Sequence, residues 1–183
     1  MTTLMRKENR IMTREEIINK IINIGNQLEI PVGNKVFKAT AVKEEDDRML
    51  FVFDDIVGKS AMTNIQSFLD YFYQKLPENL RARMGSNTLR LLDESEVFYK
   101  NVPDEWEWLT ENTQVQVENP PISYFERRDF RACKSFWWLR SVTSPSYFAG
   151  VSNSGIANYG SASLDFGVRP AFTIFTGGSY EVN

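Results

Sequence analysis

The stretch from Phe136 to Ile174, FWWLRSVTSPSYFAGVSNSGIANYGSASLDFGVRPAFTI, constrains the fold more than any other. It opens with an apolar, aromatic run ending in Arg140 and closes with a second run headed by Gly167-Val168-Arg169-Pro170. Trp137, Leu139 and Val142 in the first run, and Phe172 and Ile174 in the second, alternate with their neighbours as core strands do. The chain between them is small and polar: from Ser141 to Val168 the only charged residue is Asp165, and serine, glycine, asparagine and tyrosine dominate. Binding loops use that composition for adaptable contact. The pattern therefore predicts two core strands that carry long irregular loops.

Each run holds an arginine inside an apolar pattern. A guanidinium in that setting must find carboxylates or carbonyls for its donors, so Arg140 and Arg169 are expected to be structural, fixing strand ends around the Ser141–Asp165 loops. Trp137 and Trp138 are adjacent, and period two sends one into the core and the other to the opposite side of the sheet.

WWLRS, the hairpin-like Ala149-Gly150-Val151 to Gly155, and GVRPAF together resemble the C-terminal half of a domain family of unknown function common in clostridial proteins and their phages. The match extends more weakly through Phe51–Asp54, Ile65–Leu69 and Leu91–Val97, and covers roughly Gly33 to Ile174. That family is similar to the C-type-lectin fold, and to the formylglycine-generating-enzyme-like domains and the variable proteins of diversity-generating retroelements. The resemblance implies an α+β fold with a C-type-lectin-like, mostly antiparallel sheet and flanking helices; it says nothing about the first helix, and the N-terminal helical arm is expected from the residues themselves. The expected division is a flexible N-terminus over 1–12, an N-terminal helix over 13–30 and the C-type-lectin-like domain over 31–183.

The 183 residues suit one domain plus an appendage. A hydrophobic fraction of 42%, with 13 Phe and 4 Trp, argues for a packed core and against disorder. A formal net charge of −3 gives no overall attraction to phosphate backbones or anionic membranes. Cys133 is the only cysteine, which excludes an internal disulfide and fits a reducing, cytoplasmic setting in a bacterial host. Neither a signal peptide nor a bilayer-length apolar run is present.

Thr13 with Glu16 forms a capping box ahead of Ile17, Ile18, Ile21, Ile22, Ile24 and Leu28, which predicts a helix to about Leu28. That isoleucine stripe docks on the domain's own core or forms a homodimer or partner surface. Pro31–Asn34 reads as a turn, Lys35–Val42 and Met49–Phe53 as strands, and Lys43–Arg48 as a charged hairpin loop. Thr63 and Gln66 read as a capping box for a helix over Asn64–Leu76, and Pro77 starts a second helix stopped by Gly85. Thr88–Leu92 reads as a strand, Asp93 and Glu96 as a further capping box, and Gln114–Val117 as a short strand. Trp106 and Trp108, alternating with acids, fall outside the family pattern and are candidate partner contacts.

Tyr124–Lys134 interleaves Arg127, Arg128, Arg131 and Lys134 with aromatics. Such a segment contacts phosphates and stacks on bases in nucleic-acid binders, or forms the solvated side of a local element, since Glu126 and Asp129 offset part of its charge.

The sequence holds no histidine, which removes Ser-His and Cys-His nucleophile pairs and His-ligated metals. P-loop, GxGxxG and GxSxG motifs are also missing. The formylglycine-generating relatives act through paired cysteines, so with Cys133 alone that activity is expected to be absent. Asp54/Asp55 and Asp104/Glu105 are adjacent acids of the kind common on surfaces. The reading is a binding module without catalytic residues, cofactor or metal, contacting its partner through Tyr147, Phe148, Asn153, Asn158 and Tyr159. Two functions fit it. One is a phage or mobile-element inhibitor of host defence, concretely an anti-CRISPR protein blocking a guide-loaded type II effector nuclease. The other is a lectin-like recognition domain of a phage tail or surface protein.

Overall fold

The computed structural model describes residues 23–86, 88–98 and 121–176. Its first element is a hairpin. Strands β1 (Gln27–Val32) and β2 (Lys35–Glu45) pair antiparallel across the two-residue turn Gly33-Asn34, with Gly33 at φ 61. A glycine first in a two-residue turn supplies the positive φ that matches strand twist. The predicted helix end at about Leu28 is corrected here: Gly25 (φ 92) turns the chain and Gln27–Val32 is strand. Leu28, Ile30 and Val32 also satisfy period two, and pairing with β2 lets all three reach the core. The rest of the predicted helix lies outside the described residues, and Ile24, last of its isoleucines, is 57% exposed.

Two sheets follow. The first has the order β1-β2-β3-β9, with β3 spanning Arg48–Phe53 and β9 spanning Ala171–Phe175. The second has the order β4-β8-β5-β6-β7, from Gly58–Ser60 (β4), Trp137–Ser144 (β5), Tyr147–Val151 (β6), Ala157–Ser161 (β7) and Phe166–Val168 (β8). All pairings are antiparallel except β5 with β8, which meet parallel at Trp137↔Gly167. The long irregular loops expected between Ser141 and Asp165 are thus largely sheet. The glycines explain the difference: a Cβ on Gly160 would strike Phe166 and Trp138, and one on Gly150 would meet Phe136. Large rings cover bare backbone there, so glycine marks close packing and not a loop.

β3/β9 and β4/β8 are successive parts of one long antiparallel ladder, broken at Asp54–Ile56 opposite Arg169-Pro170. Phe53 N donates to Pro170 O (3.1 Å) on one side of the break, and Val57 N donates to Val168 O (2.8 Å) on the other. The break lets both sheets contribute to both cores.

Helices α1 (Ile65–Lys75) and α2 (Glu78–Met84) place Leu69, Phe72, Leu80 and Met84 against Phe51, Phe53, Phe172 and Trp138, forming the first core. Pro77 caps α2 and Gly85 (φ 64) ends it. The Thr63/Gln66 capping box does not form. A 3-10 turn over Met62–Asn64 takes that place, with Asn64 N bonded to Ala61 O, and Gln66 turns to Asp70 (2.8 Å). Thr88–Leu92 makes only an isolated bridge, Arg90↔Ala171, before Asp93 caps α3 (Glu94–Val97) in a full box with Glu96. Gln114–Val117 lies outside the described residues. A last turn, α4 (Arg128–Arg131), precedes β5. The second core joins Leu50, Val52, Val97, Phe98, Phe125, Trp137, Leu139, Ala149 and Val151.

The architecture is α+β with mostly antiparallel sheets. Among the described residues no helix is long and apolar enough to cross a membrane.

Candidate functional site

Tyr147 and Tyr159 stand together at the outer end of the second sheet. Ala149 pairs with Tyr159 and Tyr147 with Ser161, so the two tyrosines are diagonal neighbours on one face. Their rings meet edge to face, with centroids 6.1 Å apart at 77°. Tyr147 is 44% exposed and Tyr159 partly so. The strands beneath them are rooted by Ala149, Val151 and Ala157, all fully buried. The aromatic pair therefore stands on strands anchored in the core. The other loop candidates divide. Phe148 is half-buried and packs on the first core, and Asn158 turns its side-chain oxygen to the amide of Tyr159 (2.7 Å). Asn153 is exposed in the β6–β7 turn, beside the bonded hydroxyls of Ser152 and Ser154 (3.0 Å). Val142, 64% exposed, pairs with Phe148 near the tyrosines, at the opposite end of the hairpin from Asn153. Trp106 and Trp108 lie outside the described residues.

The basic segment 127–134 is a clasp. Arg127 grips Asp129 with two bonds (3.2 and 2.6 Å) and stacks over Phe130 at 4.4 Å. Arg128 Nε donates to Ser154 O (2.9 Å), tying the clasp to the β6–β7 turn. Arg131 lies over Phe98 at 4.7 Å, and its carbonyl accepts from Trp137 Nε1 (2.9 Å). Lys134 pairs with Asp55 at 2.9 Å. Each cation is already engaged within the chain.

Arg169 fills the ladder break. It is 1% exposed, donates from Nε to Phe53 O (2.7 Å) and from Nη1 to Phe130 O (2.9 Å), and lies over Trp137 and Phe125 at 5.0 and 5.5 Å. Arg140 instead reaches the surface and pairs with Asp93, which holds the Asp93 carboxyl below its usual range against the opposing effect of burial. Trp137 and Trp138 are both fully buried, on opposite sides of β5, and Trp138 Nε1 donates to Ser60 O (2.9 Å).

Cys133 borders the same break, its thiol 3.9 Å from Asp54 O. Burial pushes that thiol up to about 11, despite the nearby Arg169 charge. A thiol so poorly ionised is a weak nucleophile at neutral pH. Among the described residues, no group of three or more acidic or cysteine side chains could hold a metal ion.

A second feature was not legible as a site. Lys35 and Lys38 on β2, Lys59 on β4 and Lys134 in the clasp converge on a groove of about 630 Å³ that also holds Asp54 and Asp55. These residues span a hundred positions of chain in ones and twos, and only the ladder break brings them together.

Neither a curated protein nor a solved structure matches the chain. Residues 61–176, more than half of the 183, match the family described as Domain of unknown function (DUF6273), and the chain belongs to that family.

Proposed function

We propose that this chain is a non-catalytic binding module that engages a protein partner through the outer end of its second sheet. The Tyr147–Tyr159 pair on paired strands, exposed at Tyr147 and partly so at Tyr159, carries this reading, because tyrosine presents a large amphipathic surface at low entropic cost when its backbone is fixed. The lack of histidine and the suppressed ionisation of Cys133 support a module that binds without chemistry. In its most concrete form the partner is a guide-loaded type II CRISPR effector nuclease inside the bacterial host. That target rests on the resemblance to phage-borne domains.

A lectin-like recognition domain is the second reading, on a fold read as C-type-lectin-like. The bonded hydroxyls of Ser161 and Ser163 (3.1 Å), with Ser161 directly opposite Tyr147, favour it, since hydroxyl groups next to an aromatic face suit a sugar.

The test is a cleavage assay in which the purified chain is mixed in excess with a guide-loaded type II effector. Inhibition by the wild type that is lost in Tyr147→Ala/Tyr159→Ala supports the first reading. Undiminished cleavage removes that target, and retention on a glycan array that depends on the same two tyrosines moves the function to the second.

A further inference from the structure

The groove at the ladder break has an uneven use of charge. Asp54 accepts from Gln27 Nε2 (2.6 Å) and Thr40 Oγ1 (2.5 Å). Asp55 accepts from the amides of Ile56 (2.8 Å) and Lys134 (3.3 Å) and from the Lys134 ammonium (2.9 Å). Burial alone would raise Asp55, yet these partners hold it below its usual range. Both carboxylates are thus committed. Lys35, Lys38 and Lys59 are exposed and form no ion pair among the described residues. Four lysines against two aspartates leave the groove at +2 in a chain of −3.

The groove also exposes strand edges. β3 pairs with β2 only from Ala39↔Phe53 onward, and Lys38 O takes the amide of Asp54 (2.9 Å). Residues Lys35–Phe37 are therefore paired on the β1 side alone. Within a two-residue hairpin the flanking pair Val32↔Lys35 exchanges hydrogen bonds, so at the next pair, Pro31↔Val36, the peptide groups point away. The proline, which has no N–H to give, fits that position. Val36 accordingly aims its N–H and C=O away from β1, on the groove side, and is 62% exposed. Across the groove, β4 is the edge strand of the second sheet. Ile56 and Val57 supply apolar surface between them.

We propose that this groove binds an extended, acidic peptide segment of a partner protein by strand addition along β2 at Val36, with Lys35, Lys38 and Lys59 pairing its carboxylates. Backbone pairing supplies affinity in such sites and side-chain pockets supply selectivity. A nucleic-acid strand would satisfy the lysines but leave the peptide groups of Val36 without a backbone partner, which favours the peptide. This site is separate from the tyrosine pair.

The experiment measures fluorescence anisotropy of a labelled peptide alternating glutamate with valine, titrated with the full chain. Binding is expected to weaken with salt and to fall by about tenfold or more in Lys38→Glu/Lys59→Glu. The same loss is expected when the peptide's amides are N-methylated, and Tyr147→Ala/Tyr159→Ala should leave binding unchanged. Circular dichroism confirms that the exposed lysine variants stay folded, and Lys35→Glu provides an independent second variant. Equal binding of the N-methylated peptide, tighter binding of an oligothymidylate than of the peptide, or no peptide binding at all would each overturn the proposal.

Discussion

Arg169 Nε donates to the carbonyl of Phe53 across 116 residues of chain, at 2.7 Å. That bond lies where the two sheets part company. Phe53 ends β3, and its carbonyl would otherwise be buried facing a gap in the ladder. The guanidinium fills the gap, satisfies a second carbonyl at Phe130, and presents its faces to Trp137 and Phe125. The clasp, the two sheets and the second core thus share one side chain.

Removing it should be costly. Arg169→Ala leaves the buried Phe53 carbonyl and the part-buried Phe130 carbonyl without this donor and a cavity beside Trp137, for an expected loss of about 3 kcal/mol or more in urea unfolding. Arg169→Lys retains charge but lacks the planar fork that reaches both carbonyls, and should recover only part of the loss.

Glu94 is 7% exposed, and burial raises its carboxyl above the ordinary range. Between the unfolded and the raised folded value the unfolded chain binds fewer protons, so stability falls as pH rises through that window. Glu94→Gln should be more stable than the wild type at neutral pH, and the difference should vanish below about pH 4, where both states of the wild type are protonated. Thermal melts of both proteins across that range would check this, and a constant difference would contradict it.

The thiol of Cys133 behaves in the same direction at the alkaline end. With its folded value near 11 against an ordinary 9.0, the folded state resists ionisation. Wild-type stability should therefore decline relative to Cys133→Ala as pH rises from about 9 toward 11. At neutral pH a disulfide reagent should label Cys133 slowly in the native protein and rapidly in urea.

Gly150 lies beneath the Phe136 ring and within contact of the Trp137 backbone: an added Cβ would lie 2.9 Å from Trp137 O. Gly150→Ala should destabilise by about 1–3 kcal/mol, as overpacking does. Pairing it with Phe136→Leu, which vacates part of that space, should recover some of the loss in the same denaturation assay.

The elements that the sequence made legible are those whose signals are local. Asp93 and Glu96 sit at the spacing of a capping box, and both halves of the box form. Pro77 and Gly85 bracket α2 because each acts through its own backbone dihedral. Trp137 and Trp138 separate to opposite sides of β5 for the same kind of reason, since strand geometry alone dictates it. Local signals failed where two periods coincided or where partners were distant. Leu28 fits the helical spacing of the isoleucine stripe as well as an alternation with Ile30 and Val32, and the hairpin with β2 decided for strand. Gly160 falls within the expected loops and Gly150 within a hairpin-like stretch, and only the rings that cover them show why both positions are glycine.

Sequence by itself determined the Asp93–Glu96 capping box, the bracketing of α2 by Pro77 and Gly85, and the alternation that sends Trp137 and Trp138 to opposite sides of β5, because these follow from backbone geometry and nearest neighbours. Tertiary structure alone decided that Arg169 would bond Phe53 and Phe130, that Tyr147 and Tyr159 would meet, and that Lys35, Lys38, Lys59 and Lys134 would rim one groove. Those relations join residues far apart in the chain, and no local propensity encodes where a ladder breaks or which side chain fills the gap.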